Sequence, residues 1–131
     1  MSQRNVDWVQ RALEHFGQTG EPYLEEVDPA VEVYDHDIPD ARNPYLGFDG
    51  ITAWLTDFGE SWDHYELEVE QILDSGDKAV ALIRVSAVGA GSGVTVRRGD
   101  GIVWTFREGR VVRIDYFNDQ RLARDAAGLP D

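Results

Sequence analysis

Cysteine is absent from the 131-residue sequence, which leaves no disulfide framework, thiol nucleophile or thiolate metal site to consider. Basic residues are few: 12 Lys and Arg stand against 25 Asp and Glu, for a formal net charge of −13. Binding to nucleic acid rests on neutralising phosphates, so nucleic acid is not an expected partner. Anionic membrane surfaces repel the same charge. Long apolar runs are missing too, and none approaches the ~20 residues of a membrane span. The opening Met1-Ser2-Gln3-Arg4-Asn5 leads directly into a helical pattern and carries no signal-peptide core. The expectation is a cytoplasmic protein whose acidity serves solubility. Neither a phosphate loop nor a dinucleotide fingerprint is present, because Gly89, Gly91 and Gly93 do not open a helix after a strand. The three histidines, His15, His36 and His64, show no metal-ligand spacing. No metal and no cofactor are expected.

What is present is an ordinary globular balance, 42 % apolar and 28 % charged. The length fits a single domain over 1–131 with a proper core. Residues 78–119 organise it. Val, Ile, Leu and Ala dominate 78–88, and a Gly-rich cluster follows. Further strands are predicted over 94–107 and 110–118. The link Arg107-Glu108-Gly109-Arg110 decides the faces. A two-residue turn pairs Arg107 with Arg110, whereas a three-residue loop with a bulge at Gly109 pairs Phe106 with Arg110. The second is preferred, since it brings Ile102, Trp104, Val112 and Ile114 together. It places Ile114, Tyr116 and Asn118 on the face of Asp100, Ile102 and Trp104. Arg113, Asp115 and Phe117 fall on the other face.

Ahead of this sheet, Val6, Val9, Leu13 and Phe16 recur at helical spacing, with Trp8 and Ala12 widening the stripe. Asn5 is the expected N-cap, and Gly17 and Gly20 the expected end. His15, beside the stripe, reads as a surface or helix-end histidine. A short helix is predicted from Pro22 through Val27, then a strand over 30–34 and an acidic loop over 35–40. Asp49 is the expected cap of a second helix with Ile51, Trp54, Leu55, Phe58 and Trp62 on one face. Tyr65, Leu67 and Val69 alternate with acidic residues as an outer strand. Asp119 is the expected cap of a last short helix through Ala127.

Helices segregated from strands in this order give an α+β fold. The order resembles the cystatin-like cone of the nuclear transport factor 2 superfamily, and more narrowly its SnoaL-like group. Local text carries the resemblance over nearly the whole chain: Leu24-Glu25-Glu26-Val27-Asp28-Pro29-Ala30-Val31-Glu32-Val33, Tyr45-Leu46-Gly47-Phe48-Asp49-Gly50-Ile51, Ile72-Leu73-Asp74-Ser75-Gly76-Asp77 and Val103-Trp104-Thr105-Phe106-Arg107-Glu108-Gly109-Arg110-Val111-Val112. It implies a strongly bent, mostly antiparallel sheet with helices packed on its concave face around a pocket. Similar proteins include polyketide cyclases, ketosteroid isomerases, limonene epoxide hydrolases, scytalone dehydratases and non-catalytic binding proteins. Function on such a scaffold has to be argued from the site.

The leading constellation is Asp100 with Tyr116 and Asn118 on the inner face. A carboxylate among Trp54, Ile102 and Trp104 is poorly solvated, its pKa rises, and it becomes an acid or base near neutrality, with Tyr116 as donor to a developing oxyanion. Asp35, His36 and Asp37 form a second candidate, since ketosteroid isomerases carry their catalytic Asp near this point. Limonene epoxide hydrolases use an Arg and an Asp two apart on one strand, with another Asp on a neighbour. The counterparts here are Arg98, Asp100 and Asp115, with Asp115 inward only in the disfavoured register. Tyr34, Trp54, Phe58, Trp62, Ile102, Trp104 and Ile114 are the expected pocket walls. The outer face, with Val103, Thr105, Val111, Arg113, Asp115 and Phe117, suits a twofold interface, so a homodimer is expected, as in many family members. The expected function is cofactor-free acid–base chemistry of the isomerase, cyclase or hydratase/hydrolase type on a small hydrophobic carbonyl or epoxide. The alternative is a non-catalytic, small-ligand-binding or accessory homodimer.

Overall fold

The structure, a computed structural model, describes residues 2–37 and 43–130. The loop read over 35–40 runs on into residues 38–42, outside the described residues. The elements are α1 (Ser2–Thr19), β1 (Val27–Asp35), β2 (Tyr45–Leu46), α2 (Gly47–Glu60), β3 (Trp62–Ser75), β4 (Lys78–Gly89), β5 (Thr95–Arg107), β6 (Arg110–Phe117) and α3 (Gln120–Ala126). The six strands form one curled open sheet in the order β2-β1-β6-β5-β4-β3. All neighbours are antiparallel except β1 and β6, which run parallel. Among the described residues, no helix is long and apolar enough to cross a membrane.

Several element ends differ from expectation for local reasons. Helix α1 starts before Asn5, whose side chain instead donates to the Gly76 carbonyl at 3.3 Å. It continues through Gly17 and stops at Gly20. The short helix expected up to Val27 does not form. Glu25 and Glu26 make a turn, and β1 starts at Val27 beside Val111. Pro29 is tolerated there because the β1–β6 ladder is irregular between Val27 and Glu32, so its missing N–H breaks no bond. Asp49 lies in the first turn of α2, where the helix dipole favours its charge, and Leu46 occupies the N-cap position. Trp62 is not on that helix but opens β3. Asp119 does cap α3, accepting from the Arg121 N–H at 2.8 Å.

The turn after β5 is the two-residue one. Arg107 pairs with Arg110, and Glu108 and Gly109 both take positive φ, as a tight hairpin requires. A bulge then follows at Val112, so Trp104 pairs with Ile114 and Ile102 with Tyr116. The preferred faces of 114 and 116 survive because the extra residue restores the alternation. Val111, expected outside, is instead buried inside with Phe106.

Two cores result. On the inner face α1 lies against β3 and β4, and α2 against β1, over a core that includes Val9, Val33, Trp54, Ile83 and Trp104. On the other face α3 covers Val80, Leu82 and Val103 with Ala123 and Ala127. Part of the surface expected at a twofold interface is thus occupied by the chain itself. This close approach depends on Gly101, where a Cβ would stand 2.3 Å from the Ala123 Cβ. Gly101→Val is expected to push α3 off the sheet and cost about 1–3 kcal/mol by overpacking. A urea titration should read this as a lower midpoint at unchanged slope.

Candidate functional site

Between the helices and the inner sheet face lies a hollow of ≈ 90 Å³, well below the roughly 300–1,000 Å³ of most ligand sites. Trp54, Phe58, Ile102, Trp104 and Ile114 line it as expected, together with Tyr116. Trp8, Leu13 and Phe16 of α1 line it too. Their signal was the amphipathic stripe, which read as plain core. Trp62 stays off the lining and packs at the edge of the core, with Arg98 5.8 Å from its ring centroid. Tyr34 is not a wall. Strand alternation buries Val33 and Asp35 inside and turns Tyr34 to the opposite face, against Arg113.

Asp100 is the most enclosed charge of the site, at 0 % exposure. Its β5 neighbour on the same face, Arg98, donates to it twice, at 2.7 and 3.1 Å. The Tyr116 hydroxyl donates to the same carboxylate. Arg98 also donates to Asp37 at 2.6 Å, and Asn118 donates to Asp37 at 3.1 Å. Burial pushes the Asp100 pKa up, against the opposing pull of Arg98 and Tyr116. Burial also raises the Tyr116 phenol, and the Asp100 carboxylate adds to it. Burial alone would lower the Arg98 guanidinium, but the two carboxylates outweigh it and hold the proton.

The resemblance to limonene epoxide hydrolases offers Asp115 as the second carboxylate beside Arg98 and Asp100. Arg98 does bridge two carboxylates, but the second is Asp37, from the segment after β1. Positions i and i+2 of a strand share a face, which was the available signal for the Arg98–Asp100 pair. Nothing local could signal Asp37.

Asp35, at 1 % exposure, accepts from the Trp54 indole at 2.7 Å and from the Asp37 N–H at 2.8 Å. His36 faces away from the hollow. It hydrogen-bonds Asp115 at 2.9 Å and stacks on Phe117 at 4.5 Å, while Arg113 clamps the same carboxylate at 2.8 and 3.0 Å. The structure therefore joins Asp100, Tyr116, Asn118 and Asp35 on the inner side, and leaves His36 and Tyr34 on the outer. Asp100 and Asp35 do not themselves reach the lining. Tyr116 and Trp54 stand between them and the hollow. No group of three or more acidic, His or Cys side chains able to hold a metal occurs among the described residues.

Chemically, the arrangement offers a hydroxyl facing an apolar space with a buried carboxyl behind it. With Asp100 ionised, the Tyr116 hydroxyl donates its hydrogen bond inward to the carboxylate. With Asp100 neutral, the carboxyl can donate to the phenol oxygen, and the hydroxyl is free to donate into the hollow.

Comparison with known proteins places this geometry in context. The SnoaL-like domain family matches residues 8–114. No curated protein matches the sequence. A putative SnoaL-like polyketide cyclase from Jannaschia sp. CCS1 superposes with a TM-score of 0.73 at 23% identity, over 99% of this chain and 95% of that one. An NTF2-like protein of unknown function from Burkholderia pseudomallei superposes at 0.76 with 21% identity, over 93% and 95%. TerC, co-crystallised with polyporic acid, superposes at 0.73 with 18% identity, over 95% and 98%. At these identities the likeness is one of fold.

Two outcomes follow for Asp100. Arg98→Leu leaves a buried carboxylate without its cation and is expected to cost about 3–5 kcal/mol. Adding Asp100→Asn should recover much of that loss in a denaturant titration. The second outcome concerns pH. With its pKa raised by folding, Asp100 binds a proton in the folded chain that the unfolded chain has released. Its contribution is therefore full below the ordinary value of ~3.9 and is lost as pH rises through the raised value. The melting temperature of Asp100→Asn minus that of the natural chain should climb across this window, and a flat difference would contradict the direction of the shift.

Proposed function

The chain belongs to the SnoaL-like domain family, and from that premise we propose that it performs cofactor-free acid–base chemistry on a small hydrophobic molecule bearing a carbonyl or an epoxide. The observation that carries this reading is the hydrogen bond from Tyr116, at the wall of an aromatic hollow, to the fully buried Asp100. Tyr116 meets the substrate oxygen, and Asp100 stores or supplies the proton behind it. Arg98 holds Asp100 in place and balances its charge, and Asp37 with Asn118 fixes Arg98 from the other side. An enolising ketone, a cyclising carbonyl and an opening epoxide all develop charge on one oxygen, so a single donor in an apolar site serves each. The Arg98 bridge between Asp100 and Asp37 supports the hydrolase branch, being similar to the Arg and two Asp of limonene epoxide hydrolases. Cyclase chemistry draws support from the fold shared with the putative SnoaL-like polyketide cyclase.

A second reading, binding without chemistry, is favoured by one observation: apart from the phenols and indoles, the residues lining the hollow are apolar. We further propose that the outer sheet face beside α3, with Thr105, Arg113 and Phe117, pairs with a second copy of the chain about a twofold axis. Light scattering at micromolar concentration should then report twice the mass of one chain, and a single-chain mass excludes the pairing.

Native mass spectrometry of freshly purified protein, followed by turnover assays on a panel of small ketones and epoxides, tests the chemistry. Tyr116→Phe and Asp100→Asn should each lower kcat by about 10²-fold or more if proton transfer is at stake. Retained binding with unchanged turnover in Asp100→Asn removes the acid–base assignment.

A further inference from the structure

The hollow is too small for most organic substrates, and its wall facing the end of α1 is made by few side chains. Phe16, Pro22 and Leu55 line it there. Two surface clefts lie against the same wall. One of ≈ 570 Å³, between the end of α1 and α2, shares Phe16, Pro22 and Leu55 with the hollow. The other, of ≈ 520 Å³, between α1 and β3, shares Leu13, Phe16 and Leu67. Among the described residues, Phe16 is the single side chain common to all three spaces.

Phe16 is also poorly anchored for an aromatic residue. It is half-buried, and none of the ring contacts among the described residues involves it. It stands in the last turns of α1, next to Gly17, around which an added Cβ would meet nothing within 4 Å, and ahead of the helix end at Gly20. Moving its ring breaks no hydrogen bond and no stack. Displacing it would join the hollow to either cleft, whose volumes are of ordinary ligand size.

We propose that Phe16 is the gate and size filter of the ligand site, and that the ligand is an elongated, largely hydrocarbon molecule with one acceptor oxygen at its inner end. The oxygen requirement rests on the acid–base reading, because Tyr116 supplies the hydroxyl at the deep wall. The gate does not rest on it, because it follows from the position of Phe16 on the lining of all three spaces. A molecule longer than the hollow keeps its tail in a cleft beside Phe16 and Leu55.

Stopped-flow fluorescence with N-phenyl-1-naphthylamine, a neutral apolar probe, tests the gate on the full chain. Phe16→Ala is expected to raise its association rate constant about tenfold, the scale of a gating barrier lowered by roughly 1.4 kcal/mol. Phe16→Trp is expected to lower it by a similar factor, and Phe16→Leu, which keeps the core apolar, to fall between the natural chain and Phe16→Ala. Circular dichroism confirms that each variant is folded. Equal rates in all four proteins, or no probe binding even in Phe16→Ala, overturn the gate. The two proposals fail separately. Rates indifferent to Phe16 alongside Asp100-dependent turnover sink the gate alone. Rates that follow Phe16 alongside turnover unchanged in Asp100→Asn leave the gate standing and sink the chemistry.

Discussion

A carboxylate with no contact with water has to be neutralised by a proton, a cation or hydrogen bonds, and Asp100 has access to all three. Arg98 supplies two charge-assisted hydrogen bonds and Tyr116 a third. The rest of the inner site is arranged around satisfying that one group. Arg98 is itself partly buried, so it takes a second carboxylate from Asp37, and Asp37 takes Asn118. Each partner brings a different element to the same place: β5, β6 and the segment after β1. The polar cluster thus ties together the end of the sheet next to the aromatic hollow. The same low dielectric that makes an unpaired charge there so costly strengthens the bonds that pair it.

The sheet keeps two kinds of charge apart by strand alternation alone. At the end of β1 Asp35 points in, and His36 just after it points out. On β6, Tyr116 points in while Asp115 points out. Inside, acidic groups meet a phenol, an indole and one guanidinium in an apolar setting, where burial raises the pKa of Asp100 and of Tyr116. Outside, His36, Asp115 and Arg113 form a compact cluster, with the His36 ring stacked against both Tyr34 and Phe117. A one-residue slip of β6 would exchange Tyr116 for Asp115 and put an acid against the hollow in place of a hydroxyl. The bulge at Val112 prevents this, because it corrects the register set by the tight turn.

The fold and the hollow place different demands on the chain. The fold is met by turn glycines, by strand periodicity and by the close approach of α3 over Gly101. The hollow is met by leaving space, with Ala79 and Ala81 on β4 facing the bulkier Trp104 and Ile102 of β5 across the ladder. Solved structures of 18% to 23% identity share the architecture over nearly the whole chain. Their agreement concerns the first demand. The second belongs to the residues of this sequence, since side chains rather than backbone decide what a pocket accepts.

Much of this is legible in the sequence. The periodicities of α1, α2 and β3 to β6, the cap at Asp119, the shared face of Asp100, Ile102 and Trp104, and the α+β class all follow from spacing, because periods of 3.6 and 2 are local properties. Ile114 and Tyr116, by contrast, face inward as expected only because the bulge at Val112 offsets a turn that differs from the expected one. Pro29 reads as a stop in the sequence, and only a neighbouring strand with an irregular ladder makes it tolerable inside β1. Trp62 was read as helix because its spacing continues the stripe of α2. Its strand partner Gly89, which claims it for β3, lies far along the chain. Asp37 and Arg98, 61 residues apart, could not be paired from the text. Sequence by itself determined which faces are apolar and where the chain turns. Tertiary structure alone decided which carboxylate meets which cation and how small the hollow is, because contacts between distant segments depend on register, bulges and the direction of β1 beside β6, and no local pattern encodes them.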